Sequence, residues 1–184
     1  YENALQAVKR KAAEAHYSQA RSLMEKARPT LEDVEAAIGK VEEARKYNSA
    51  DESLNSYYQE LAGRREKLES EIDKLYQEGS ASLDQKKWED ALQKLDNVLD
   101  LQPKHKEARG KQGLARNNYL ADLYLKGHAF LWTEEWEKAI ECFSKIAALI
   151  PDYGDTKDRL LEAKSKNNAA YQVIRGNEAL AQKD

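Results

Sequence analysis

Apolar residues along this chain recur at steps of three and four and nowhere alternate for long. After Trp88 the run is Ala91, Leu92, Leu95, Val98 and Leu99. After Trp136 it is Ala139, Ile140, Phe143, Ile146 and Ala147. With 3.6 residues per turn, that spacing gathers the apolar side chains on one helix face. Between sparse Gly and Pro lie long stretches of Ala, Leu, Glu, Lys, Gln and Arg. These residues lose little freedom on entering a helix. The pattern predicts an all-α chain. Only Gly110 and Gly113 interrupt the interval from Pro103 to Gly127. One helix of roughly 25 residues is therefore expected from about His105 to Trp132, and similar long helices after Ser49 and Pro151. Thr30, three residues before Asp33, reads as a helix cap, and so does Asp155 before Asp158.

The helices repeat. Gly79 to Pro103 aligns without a gap on Gly127 to Pro151, at an offset of 48 residues. The register pairs Tyr76 with Tyr124, Gly79 with Gly127, Leu83 with Leu131 and Trp88 with Trp136. It also pairs Ala91 with Ala139, Leu95 with Phe143, Val98 with Ile146 and Pro103 with Pro151. A weaker earlier copy places Val34, Ala37, Val41 and Ala44 on the positions of Trp88, Ala91, Leu95 and Val98. A partial copy ends the chain, where Gly176 and Leu180 repeat the Gly-to-Leu spacing. The aromatic position of that copy falls one residue past Asp184. The expectation is an excerpt of a longer protein, continuing with an aromatic residue and another helix.

These residues resemble the tetratricopeptide repeat (TPR). That family favours a small residue in the first helix, then an aromatic, a small Ala and a bulky apolar residue in the second, with Pro at its end. Gly79, Trp88, Ala91, Leu95 and Pro103 follow that order, as do Gly127, Trp136, Ala139, Phe143 and Pro151. The family's usual unit is about 34 residues, so an offset of 48 marks an atypical long-helix variant. The resemblance implies a right-handed α-solenoid of antiparallel helix pairs with unusually long first helices. It would form one domain over 1–184, with units of approximately 2–49, 50–103, 104–151 and a partial 152–184. A lone helix pair cannot bury its apolar face, and stacking adjacent pairs completes the core. Gly and Ala let the helix axes approach while Trp, Leu and Phe fill the space beside them. Leu61, Leu68, Ile72 and Leu75 are expected to line a coiled-coil-like ledge on the extended helices.

Composition narrows the function. Lys and Arg total 30 against 33 Asp and Glu, a net charge of −3, which gives no electrostatic reason to bind nucleic acid. No run approaches the roughly 18–20 apolar residues of a membrane span. One Cys makes no internal disulfide and fits cytoplasm and periplasm alike. His16, His105 and His128 hold no metal-ligand spacing, and no phosphate loop or nucleophile–base pattern appears. His105, between Lys104 and Lys106, is expected to be exposed. Cys142 beside Phe143 reads as a structural thiol. Arg64, Arg65 and Lys67 are diluted by Glu66 and Glu69 and read as a solvated helix face. No catalytic residue, metal or cofactor is assigned.

The most suggestive surface is aromatic. Tyr76 and Tyr124 hold equivalent places on first helices, which line the concave face in the resembled family. His128 lies four residues after Tyr124 and Trp132 four after His128, so the three share a helix face. The candidate binding residues are Tyr76, Tyr124, His128 and Trp132. The plainer alternative is that Tyr124 and Trp132 pack against the next repeat. The family's clamp for acidic chaperone tails uses Lys and Asn, where this chain has Tyr76, Ser80, Ala121 and Leu125. The reading is a non-catalytic scaffold or adaptor that holds a peptide or partner helix. The alternatives are a self-assembling homo-oligomeric module and an accessory domain of a larger envelope or signalling protein.

Overall fold

The computed structural model describes residues 1–181. It contains α1 (Glu2–Met24), α2 (Leu31–Tyr47), α3 (Glu52–Asp84), α4 (Trp88–Leu101), α5 (Lys106–Trp132), α6 (Trp136–Leu149) and α7 (Thr156–Ala181). There is no strand among the described residues. The chain divides into two compact units, Tyr1–Ala115 and Arg116–Asp184, with the division inside α5.

In the first unit α1 and α2 pack antiparallel. Ala13 meets Ala44 near one end, and Ala20 meets Val34, Ala37 and Val41 toward the other. Val34, Ala37, Val41 and Ala44 are fully buried, as the weak early copy requires. Thr30 opens α2 with a reciprocal capping box: its hydroxyl accepts from the Asp33 amide, and the Asp33 carboxylate accepts from the Thr30 amide. Two of the donors that a helix start leaves unpaired are thereby satisfied. Asp51 caps α3 by accepting from the Ser53 and Leu54 amides.

Leu61 lies in the core with Ala20, Val34, Ala37, Ile38 and Val41, and Leu68 packs against the same cluster. The sequence suggested a ledge for these leucines. The first half of α3 instead serves as the third wall of the α1–α2 pair, because two short apolar faces need a further surface to close over them.

Two hairpins carry the 48-residue repeat. The α3–α4 hairpin belongs to the first unit and the α5–α6 hairpin to the second. Each turns through a left-handed residue, Lys86 at φ 58° and Glu134 at φ 60°. Each turn closes with matched backbone bonds: Lys87 N donates to Ser82 O at 2.9 Å, and Glu135 N to Phe130 O at 2.9 Å. The ends match as well, with Gln102 N to Val98 O and Ile150 N to Ile146 O both 2.8 Å. Ala91, Leu95 and Val98 in one hairpin, and Ala139, Phe143 and Ile146 in the other, are fully buried. Gly79 faces Leu95 and Gly127 faces Phe143; a Cβ would be tight at Gly79, 3.1 Å from Leu95, and would clash at Gly127, 2.8 Å from Phe143. Trp88 and Trp136 each begin the second helix, half-buried. Beyond the Pro, Ala108 matches Thr156 and Ala115 matches Ala163, all fully buried.

His105 departs from expectation. Its side chain is only 16% exposed. Nδ1 accepts from the Ala108 amide, which satisfies the start of α5, and the ring stacks on Tyr76 at 4.9 Å. The flanking lysines suggested solvent, but the turn after Pro103 folds the ring back under α3. The partial repeat at Gly176 and Leu180 lies outside the residues whose side chains are described.

Candidate functional site

The four aromatic and histidine candidates fall into two places. Tyr76 belongs to the first unit. α3 presents it half-buried, with His105 stacked against it and Lys111 Nζ 4.8 Å from its ring centroid. Lys111 also donates to Ser80 Oγ at 2.7 Å. Tyr76 is thus held between a ring and a cation from the segment that follows the hairpin.

Tyr124, His128 and Trp132 belong to the second unit, on successive turns of α5. Tyr124 Oη donates to Asp155 Oδ1 at 2.6 Å. That bond pushes the phenol above its ordinary value and is the main cause holding the Asp155 carboxyl below its own. The Tyr124 ring also meets His128 at 4.5 Å and Tyr153 at 5.8 Å. Gly154, at φ 52°, turns the chain beneath it. A side chain with a Cβ adopts that backbone only at a cost. Tyr124 is therefore built into the fold as a clasp between α5 and the start of α7.

Asp155 read from sequence as a cap. Its carboxylate carries this clasp, and Arg159 Nε donates to its Oδ2 at 2.8 Å. Arg159 Nη1 donates in turn to Glu162 at 2.9 Å. His128 Nε2 sits 3.9 Å from Asp155 Oδ1, out of solvent and without a hydrogen-bond partner among the described residues.

Trp132 ends α5 and is 89% exposed. It borders an open hollow of about 450 Å³ together with His128, Leu131, Glu134, Arg159 and Glu162. The hollow thus joins two of the sequence candidates, His128 and Trp132. Tyr124 lies behind it, and Tyr76 is in the other unit. Arg159 and Glu162 were not singled out from sequence. The signal was present: continuing the 48-residue register beyond the Pro carries Lys111 onto Arg159, so the cation beside the first-helix aromatic recurs.

Cys142 is buried in α6, and burial pushes its thiol above the ordinary value. A buried thiol with little thiolate is a poor nucleophile. Among the described residues no helix is long and apolar enough to cross a membrane. The chain matches no protein-family model and no curated protein.

Proposed function

We propose that this chain is a TPR-like scaffold, an α-solenoid array of helix pairs that binds a peptide or partner helix and performs no chemistry of its own. Support for the array comes from two hairpins that share turn geometry, buried positions and glycine contacts at one fixed offset. Such units present rigid helices, so little ordering entropy is lost when a ligand binds.

The observation that carries the binding role is Trp132. A tryptophan left almost wholly in water beside a hollow forgoes the burial that its large surface would gain within the fold, and exposed Trp is the residue type that most often anchors interfaces. The test is peptide display against the chain, followed by affinity measurement with Trp132→Ala. Loss of binding for the selected peptides is expected. Retention of every peptide by the variant would remove the hollow as the binding face. Self-assembly is the second reading, favoured by exposed Leu5 and Val8 on α1, and light scattering over a range of concentrations separates the two.

A further inference from the structure

We infer that the Trp132 hollow takes a cationic side chain, so that the partner is a peptide segment bearing arginine or lysine. The inference rests on the binding role proposed above and names its ligand chemistry.

Charge at the hollow is unbalanced. Arg159 is its one cation among the described lining residues, and Glu134 and Glu162 are its carboxylates. Arg159 is already engaged from two sides, by Asp155 at 2.8 Å and Glu162 at 2.9 Å. Two lining carboxylates therefore stand against one guanidinium, and that guanidinium is also held by Asp155. Of the lysines nearest these residues in the sequence, Lys126 pairs with Asp122, Lys138 with Glu135 and Lys157 with Asp152, while Lys166 lies one turn beyond Glu162 on α7. Glu134 is exposed, and its left-handed backbone carries it between Trp132 and Trp136 at the hairpin tip.

A face of Trp is the best aromatic partner for a cation placed within about 6 Å of it. Trp132 therefore offers a π-surface, Glu134 a carboxylate without an ion pair among the described residues, and Glu162 a second carboxylate across the hollow. An anionic ligand would have to displace Asp155 or Glu162 from Arg159 before gaining any attraction. A purely apolar ligand would bury Glu134 without a partner, which is costly. A guanidinium or ammonium gains from all three groups. Its aliphatic stem can rest on Leu131.

The corresponding turn of the first unit lacks this arrangement. Asp84 stands where Trp132 does, and Lys86 where Glu134 does. The property belongs to one hairpin and is not a general feature of the repeat.

The test uses N-acetylated tetra-arginine amide as probe, with tetra-glutamate amide as its opposite, by calorimetry on the whole chain at low salt. A Trp88→Phe/Trp136→Phe background leaves Trp132 as the fluorophore that reports where the probe sits. Saturable binding of the arginine peptide with a change in Trp132 emission is expected. Trp132→Ala should weaken it about fivefold, and Glu134→Gln about threefold. Glu35→Gln removes the same charge from exposed α2 and should leave affinity unchanged.

Absence of saturation, equal binding of the glutamate peptide, or an equal effect of Glu35→Gln would overturn the inference. The two levels remain distinguishable. If display yields Trp132-dependent peptides without basic residues, the ligand chemistry is wrong and the binding role stands. If no selected peptide depends on Trp132, the binding role itself fails.

Discussion

An alanine methyl at position 127 would sit 2.8 Å from Cζ of Phe143, and Phe143 is fully buried. At Gly127 the Phe143 ring of α6 therefore fills the space that a side chain on α5 would need. Gly127→Ala gains up to about 1 kcal/mol of helix propensity but meets overpacking of about 1–3 kcal/mol. A net loss of stability is expected in denaturant unfolding. Gly113→Ala is the control: nothing lies within 4 Å of its Cβ position. That substitution should stabilise the chain by about 0.5–1 kcal/mol, through helix propensity and a less flexible unfolded state. Equal behaviour of the two variants would mean that the hairpin does not close at Gly127.

Thr156 offers a different kind of test. It is fully buried, and its Oγ1 has no hydrogen-bond partner among the described residues. The repeat places Ala108 at the matching position of the first unit, so the hydroxyl is not a requirement of the packing. Thr156→Val keeps the branched shape and removes the stranded polar atom. A buried unsatisfied group costs about 1–3 kcal/mol. The valine variant is expected to be more stable by about 1 kcal/mol, read from the denaturation midpoint at unchanged slope. A less stable valine variant would show that the hydroxyl has a partner, such as a bound water.

The repeat was legible in the sequence because its residues are rare and do steric work. Gly79, Trp88, Ala91 and Pro103 each have a reason to recur wherever two helices close in the same way. The capping box at Thr30 and Asp33 was legible for a similar reason, since its chemistry is local. What escaped were contacts made across the fold. Leu61 reads as an edge residue until α3 is seen to cover α1 and α2. His105 reads as exposed until the turn brings it under Tyr76. Arg159 and Glu162 form the hollow with residues some thirty positions earlier; the 48-residue register marks Arg159 as the counterpart of Lys111, but nothing local in α7 points to Glu162. Asp155 reads as a cap from its spacing to Asp158, and its tie to Tyr124 leaves no such trace, because that bond joins separate segments.

Acid should weaken the start of α2. The hydrogen bond from Lys26 is the largest cause holding the Asp33 carboxyl below its ordinary value of 3.8, with the Thr30 amide next. A depressed folded value means that the folded state favours the ionised form. This contribution is complete above the unfolded value and is lost as pH falls through it toward the folded one. The unfolding midpoint should therefore drop as pH is lowered below about 4. Asp33→Asn retains an acceptor for the Thr30 amide but carries no charge, so its stability should fall less steeply over that interval. Thr30→Ala removes the other half of the box at all pH values and should cost about 1 kcal/mol. Parallel acid profiles for wild type and Asp33→Asn would show that Asp33 is not the titrating group.

The Tyr124–Asp155 bond should behave as a coupled pair. Tyr124→Phe removes the donor while leaving the ring against His128, Phe143 and Tyr153. With its principal cause of depression gone, the Asp155 carboxyl should titrate at a higher pH in that variant, as followed by carboxyl NMR. Arg159 remains in place and continues to favour the ionised carboxylate, against the burial that disfavours it. A net hydrogen bond contributes about 0.5–1.5 kcal/mol, and the lower half of that range applies because the Asp155 side chain is 35% exposed. In a double-mutant cycle, Tyr124→Phe and Asp155→Ala should together cost less than the sum of the single changes, since either one breaks the same bond. Strict additivity would mean that the phenol and carboxylate do not meet in solution. The hollow in front of them would then lack the fixed back wall that holds Arg159 toward Glu162.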